Sequence, residues 1–247
     1  MKTPTFKSLG TKTAKTLFAI AVLTLAGVSA CKKDASTSTS ATVTEADAAQ
    51  MTSDAVSSST GGMSAQTTSS VTLYAATATP TTGCGAMKDT TIAATYAGGG
   101  YSFSYSLSWQ YLVDCDTHVA TLNYNGNSSY SGLLTTISGS CVGEDVLSGI
   151  ASSATYYTLN GSFERKGNAT SKVGEMKSFT SDLKISTTNA TVDKTTDEIT
   201  GGTATVTLTG ATSGGKSFSF GGTLTFLGGK TGKLVLNSGT SYNLTWE

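Results

Sequence analysis

Basic clusters, histidines and prolines are scarce in this chain, and their scarcity limits what the protein can do. Its 247 residues include 16 basic and 16 acidic side chains, two prolines and one histidine. Proteins that hold nucleic acid by its phosphates need clustered lysines and arginines, and anionic lipid surfaces attract similar clusters. Because no such cluster occurs, we predict no nucleic-acid partner. A protein or glycan partner stays unassigned.

Catalytic motifs are scarce as well. His118 is the only histidine, and Asp114 or Asp116 could orient it in a hydrolase triad. The chain has no Gly-x-Ser-x-Gly motif to present a nucleophile. The histidine lies in a strand-like run that carries apolar residues on the same face, namely Ala120, Leu122 and Tyr124. The sequence therefore predicts a partly buried structural histidine and no catalytic residue.

Motifs for metals and cofactors are also missing. The acidic pairs Glu144-Asp145 and Asp197-Glu198 fall in apparent loops, whereas glycoside hydrolysis needs two carboxyl groups about 5–10 Å apart across a cleft. Residues 193–198 carry enough oxygen atoms to suggest a calcium loop, but they lack the spacing and the glycine of an EF-hand. No Cys-x-x-Cys motif is present. We predict neither a metal nor a cofactor.

The N-terminal residues form a targeting segment. Basic residues without any acid precede a short apolar run at residues 17–26. The basic residues are Lys2, Lys7, Lys12 and Lys15. A membrane-spanning helix needs about 20 apolar residues, and a shorter run behind a basic segment is typical of a secretory signal peptide. We predict that residues 1–30 are a signal peptide.

The end of this segment resembles the lipobox of bacterial lipoprotein precursors. The matching residues are Val28, Ser29, Ala30 and Cys31. The resemblance implies that the Cys31 thiol receives a diacylglyceryl group, that a dedicated peptidase cleaves before Cys31, and that the new amino group is acylated with a fatty acid such as palmitate. Each buried methylene contributes about 0.8 kcal/mol, so two or three acyl chains make a lasting anchor. Lipoproteins of this kind that stay in the inner membrane often carry Asp directly after the lipidated cysteine. Lys32 occupies that position here, so the resemblance favours the outer membrane, on its periplasmic or surface face.

Residues 31–70 are predicted to be the lipidated Cys31 and a flexible linker. Ser, Thr, Ala and Gly dominate this segment, which therefore buries too little apolar surface to offset the entropy of ordering it. Thr44 is a candidate N-cap for a short helix with acids in its first turn. We interpret this helix as transient and expect Gly61-Gly62 to end it.

Period-2 alternation begins near Val71 and predicts a β-rich globular domain over residues 71–247. In residues 101–115 every odd position is apolar, aromatic or Cys, which is typical of a strand with one buried face. Thr-rich strands with Gly-rich turns continue to the end of the chain. The predicted fold class is all-β, with about ten strands in an antiparallel meander or a β-sandwich, no amphipathic helix of useful length, and a disordered tether in front.

Aromatic residues of the long strand leave two interpretations open. Tyr101, Tyr105, Trp109 and Tyr111 share one face. An exposed stripe of this kind stacks on sugar rings, whereas a stripe on a period-2 face usually belongs to the core. We favour the core.

Three cysteines besides Cys31 would share an oxidising compartment after export. Cys115 ends the long strand, and Cys84 precedes the strand expected to pair with it, so we favour a Cys84–Cys115 disulfide. Cys115–Cys141 is the competing pair, because sequence alone does not fix connectivity.

Most of the chain resembles a group of uncharacterised Gram-negative lipoproteins without an assigned activity. The shared features are the lipobox, the Ser/Thr-rich spacer, Cys84-Gly85, the aromatic-Ser strand and the closing Tyr242 to Trp246. This resemblance adds no function. From the anchor, the tether and the lack of a catalytic motif, we expect a membrane-anchored exported lipoprotein with a non-enzymatic structural or binding role. The alternatives are a carrier of an apolar or glycan ligand in a curled sheet, and an envelope hydrolase.

Overall fold

The computed structural model describes residues 42–77, 84–133, 135–150, 153–172 and 178–246. The predicted signal peptide, the lipobox residues Val28, Ser29 and Ala30, and the predicted lipidation site Cys31 lie outside these ranges.

Ten strands form one antiparallel sheet in which each strand pairs with the next along the chain. The strands are β1 (Lys88–Gly98), β2 (Tyr101–Val113), β3 (Ala120–Ser131), β4 (Thr135–Ser148), β5 (Tyr156–Ser171), β6 (Ser178–Asp193), β7 (Ile199–Thr212), β8 (Ser217–Gly228), β9 (Thr231–Leu236) and β10 (Ser241–Thr245). The predicted all-β fold class is confirmed. Of its two architectures, the described residues adopt the meander.

The strand register places the apolar positions in rows across one face, called here the inner face. Trp109 of β2 pairs with Tyr124 of β3, whose partner on β4 is Gly143, and Phe163 of β5 follows. The side chains of Trp109, Tyr124 and Phe163 are buried. The polar residues that alternate with apolar ones along a strand, such as Ser106 and Ser108 of β2, are exposed on the outer face. The period-2 pattern of the sequence therefore corresponds to the two faces of this sheet.

A helical insert, residues 43–77, packs against the inner face. It contains α1 (Glu45–Val56), a 3₁₀ turn (Ser58–Thr60) and α2 (Met63–Thr77). Thr44 caps α1 as predicted, in a capping box in which its hydroxyl accepts from the Asp47 N–H and the Asp47 carboxylate accepts from the Thr44 N–H. The helix ends at Val56, and Gly61 instead caps the 3₁₀ turn with a φ of 65°.

The predicted flexible linker is wrong for the part of residues 31–70 that the structure describes. Eight residues of α1 are buried, from Ala48 to Val56. Strands β2, β4 and β10 all contact the insert, so the sheet curls around it. The Ser53 hydroxyl donates to the Thr245 carbonyl of β10 at 2.7 Å. Small side chains let a helix approach a curved sheet closely, whereas in the sequence alone the same residues indicate a linker.

Two further predictions need correction for the same reason. Val71, predicted to open the β-domain, is a buried residue of α2, and the first strand begins at Lys88. The sequence predicts no amphipathic helix of useful length, but the structure has two helices, α1 and α2, of 12 and 15 residues. Helix α2 has Ala, Ser and Thr on all sides rather than one apolar stripe, so the 3.6-residue periodicity that marks a helix in sequence is missing.

Candidate functional site

The predicted disulfide is confirmed. Cys84 and Cys115 are bonded, with 5.1 Å between their Cα atoms, and the adjacent Gly85 N–H donates to the Val113 carbonyl at 2.8 Å. The bridge therefore fixes the chain just before β1 to the end of β2. The two cysteines are 31 residues apart in sequence. In the chain-entropy model, a disulfide that closes a loop of this length contributes about 3–4 kcal/mol to stability. The competing Cys115–Cys141 pair is not formed.

His118 is not the partly buried strand residue that the sequence predicts. It lies exposed in the turn between β2 and β3, with a φ of 54°. The Tyr74 hydroxyl of α2 donates to its carbonyl, so its backbone holds the insert. The nearby Asp114 carboxylate accepts from the Thr117 N–H at 2.7 Å and from the Thr117 hydroxyl at 2.8 Å, which lowers the pKa of Asp114. The Asp114 carboxylate is therefore hydrogen-bonded within its own turn.

The same turn recurs between β6 and β7. It is formed by residues 193–198, which the sequence analysis considers as a calcium loop. The Asp193 carboxylate accepts from the N–H groups of Thr195 and Thr196 at 2.8 and 3.0 Å, and these bonds lower the pKa of Asp193. Both turns share Asp-x-x-Thr followed by a residue at positive φ, here Asp197, and the sequence analysis missed this repeat. No group of three or more His, Cys, Asp or Glu side chains within the described ranges is placed to hold a metal.

The acidic pair Glu144-Asp145 lies in a strand and not in the predicted loop. In β4 the two side chains point to opposite faces, so Glu144 is exposed while Asp145 is 4% exposed on the inner face. The Ser70 hydroxyl of α2 donates to the Asp145 carboxyl at 2.6 Å. Burial raises the pKa of Asp145 to about 7. A Cβ at Gly161 would lie 2.7 Å from its Oδ1, so this glycine makes room for the carboxyl group.

A second buried polar group joins the insert to the middle of the sheet. Arg165 of β5 is 4% exposed and donates through Nη2 to the Thr60 carbonyl at 3.2 Å. The Asp54 carboxyl of α1 accepts from Thr135 at 3.0 Å and from Gln50 at 2.9 Å. Burial raises the pKa of Asp54, and the charge of Arg165 opposes this rise. These buried polar groups bind the insert to the sheet rather than surround a substrate cleft.

Cys141 is the register partner of Arg165 and lies buried on the inner face. Burial raises the pKa of its thiol to about 11, so the reactive thiolate is scarce at neutral pH.

With Cys31→Ser as background, Cys141 is the one free thiol. We expect Ellman's reagent to label native protein less than a tenth as fast as protein unfolded in guanidinium. Full labelling of the native protein within a minute would contradict this placement.

An aromatic patch, Tyr96, Tyr101 and Phe103, lies at one end of the inner face. The Tyr96 ring stacks on Tyr101 with 4.9 Å between ring centroids, and on Phe103 with 5.9 Å. Tyr96 is 44% exposed, whereas Trp109 in the predicted stripe is 1% exposed. The core interpretation of that stripe thus holds for Trp109. The sequence analysis missed Tyr96, which joins the patch from β1 by register with Phe103.

Comparison with known proteins gives no relative from which to transfer a function. No protein-family model, curated protein or solved structure matches the chain. No helix in the described ranges is long and apolar enough to span a lipid bilayer. A function for this chain therefore has to be argued from its own residues.

Proposed function

We propose that this chain is an exported lipoprotein, anchored in the outer membrane by acyl chains on Cys31, whose β-domain has a non-enzymatic structural or binding role. The observation that carries the proposal is Val28-Ser29-Ala30-Cys31 directly behind a basic segment and a short apolar run. Loss of residues 1–30 removes four lysines and leaves 12 basic and 16 acidic residues, a net charge of −4. The acyl chains, and not basic residues, then attach the protein to the membrane.

The disulfide supports export. Cys84 and Cys115 are bonded, and structural disulfides are rare in the cytosol but persist in oxidising compartments. The bridge joins the segment before β1 to the end of β2, so the domain gains part of its stability only after it has left the reducing cytosol.

Three features support a non-enzymatic role. The carboxylate of Asp114, one of the two acids that could orient His118, already accepts hydrogen bonds from its own turn. The buried groups Asp145 and Arg165 bind the insert through Ser70 and Thr60. The insert also packs against the middle of the inner face, where a curled sheet would otherwise hold a ligand. What remains available for contact is the outer face, the sheet edges and the aromatic patch.

Replacement of the anchoring sulfur tests the proposal. We expect wild-type protein to incorporate labelled palmitate and to sediment with membranes, because two or three acyl chains hold it there. Cys31→Ser should lose the label, and the protein should stay unprocessed or leave the membrane fraction. Globomycin, which blocks the lipoprotein signal peptidase, should cause the wild-type precursor to accumulate.

Cys141→Ala is the matched control, since it also removes one cysteine outside the disulfide but leaves the lipobox intact. It should keep both the label and the membrane association. A Cys31→Ser protein that matures and sediments as the wild type does would overturn the proposal. Protease treatment of intact cells then separates the surface face from the periplasmic face of the outer membrane.

A further inference from the structure

The two edge strands of the meander differ in how they are protected. β10 has 5 residues, and α1 packs against it with the Ser53 hydroxyl bonded to the Thr245 carbonyl. β1 has 11 residues and pairs with β2 on one side only, and no described strand pairs with its other side. Every second residue of an edge strand turns its N–H and C=O groups outward. β1 thus presents a long row of backbone donors and acceptors.

Beyond its first two residues, β1 has none of the devices that usually keep an exposed edge from pairing. Such devices are lysines, prolines, bulges and short strands. After Lys88 and Asp89, the strand contains no charge and no proline. Its ladder with β2 runs from Lys88 to Gly98 without a register shift. Residues with strong β preference, namely Thr90, Thr91, Ile92, Thr95 and Tyr96, fill its length.

The inner-face side chains along this edge are also incompletely covered. Thr90, Ile92 and Ala94 are half-buried, and Tyr96 is exposed within the aromatic patch. An additional strand beside β1 would continue the inner face next to this row. It would therefore cover apolar surface as well as form backbone hydrogen bonds.

The charge distribution of β1 favours a second copy of the same strand in antiparallel orientation. Its charges, Lys88 and Asp89, lie together at its N-terminal end. An antiparallel pair centred on Ala93 places Lys88 opposite Gly98 and Asp89 opposite Ala97 of the other copy, so no like charges face each other. A parallel in-register pair would instead place Lys88 against Lys88, and like charges directly opposite destabilise a sheet.

We propose that two copies of this chain associate edge to edge through their β1 strands, in an antiparallel pair that continues both sheets. The contact is isologous, because the same residues are used on both sides of a two-fold axis, and such an interface closes at two copies. The proposal rests on the strand and its register, and it does not depend on acylation of Cys31.

Light scattering of the purified full-length protein in detergent tests the association. We expect the protein mass in the complex to equal two chains. Thr91→Lys with Ala93→Lys should reduce it to one chain, since lysines on the outer face of both copies then oppose each other. We expect the dissociation constant of the dimer to rise at least tenfold, because like charges directly opposite each other destabilise a pair of strands.

The matched control places the same two charges one strand further in. Ser108 and Ser106 of β2 are the register partners of Thr91 and Ala93 and are exposed on the same face. Ser106→Lys with Ser108→Lys should therefore leave the dimer intact. A single chain for wild-type protein at about 100 µM, or equal loss of the dimer in both double variants, overturns the proposal. Wild-type protein that binds an extended peptide of another protein but not itself overturns it too.

A cysteine at the centre of β1 checks the geometry independently. Ala93→Cys should give a disulfide-linked dimer on mild oxidation, because the antiparallel pair brings the two Ala93 positions together. Ser106→Cys, one strand inside the edge, should not. Cross-linking of Ser106→Cys as efficiently as Ala93→Cys would show that contact is not made through the β1 edge.

Discussion

Ala55→Asp is expected to lower the free energy of unfolding by about 3–5 kcal/mol, or to prevent folding altogether. Ala55 lies in α1 and is 2% exposed. An aspartate there would bury an uncompensated carboxylate or force α1 away from the sheet, and a buried charge without a partner costs several kcal/mol. The nearby Asp54 is itself buried and carries a raised pKa, so a second acid beside it adds like-charge repulsion.

The matched control is Ala46→Asp, which makes the same change on an exposed position of the same helix. Acids in the first turn of a helix are favourable, so its stability should stay within about 0.5 kcal/mol of wild type. Urea unfolding followed by tryptophan fluorescence measures both variants, because Trp109 is buried on the inner face. Equal stabilities for the two variants would mean that residues 45–56 form the linker that the sequence predicts and not part of the core.

The sheet could be predicted from the sequence because its signal is local. In β2 the alternation of Phe103, Tyr105, Leu107 and Trp109 with serines indicates one buried face, and the structure places Leu107 and Trp109 in the core. Glycine-rich turns such as Gly99-Gly100 mark where the chain reverses. A meander joins only neighbouring strands, so no long-range pairing had to be inferred.

The helical insert could not be predicted, because what stabilises it is a surface formed by strands that are distant in the chain. Ala48, Ala55 and Ser70 carry too little apolar area to indicate a core helix on their own. They are buried because the sheet curls around them, and small side chains are what this space accepts. Thr44 could be predicted as an N-cap, because a capping residue followed by acids in the first turn is a local signal.

The buried polar groups escaped prediction for a related reason. The β4 sequence around Asp145 contains Gly139, Gly143 and adjacent acids, which favour a loop in any local reading. The glycines are instead positions where a neighbour occupies the space of a side chain, since a Cβ at Gly143 would lie 2.2 Å from the Tyr124 ring. Burial of Asp145 follows from this packing and from α2, neither of which is visible in sequence.

Asp145→Asn is expected to remove most of the pH dependence of stability between about pH 4 and pH 7. Burial raises the pKa of Asp145 in the folded protein to about 7, whereas an aspartate in an unfolded chain titrates near about 4. Between these values the folded state keeps the proton and the unfolded state has lost it. Unfolding then releases a proton, so wild-type stability falls as pH rises through this window.

The size of the effect follows from the gap between the two pKa values. The two pKa values differ by about three, and each pKa unit corresponds to about 1.36 kcal/mol. The free energy of unfolding therefore changes by about 4 kcal/mol across the window. The asparagine side chain of the variant has no proton to lose, and its amide oxygen can still accept from the Ser70 hydroxyl. We therefore expect the two proteins to have similar stability at about pH 4, and the asparagine variant to be more stable by about 4 kcal/mol at about pH 8.

Comparison of the two proteins isolates this carboxyl group. Asp54, with a raised pKa, and Asp114 and Asp193, with lowered pKa values, also titrate, but they are common to both proteins. Glu144→Gln is the control, because it removes the exposed neighbouring acid and leaves Asp145 buried. Its urea midpoint should still fall between about pH 4 and pH 7, by slightly less than that of the wild type, because the charge of Glu144 adds a small part of the rise in the pKa of Asp145. If Asp145→Asn and wild type give parallel stability curves across this range, Asp145 does not lie protonated between β4 and α2, and the polar attachment of the insert is wrong.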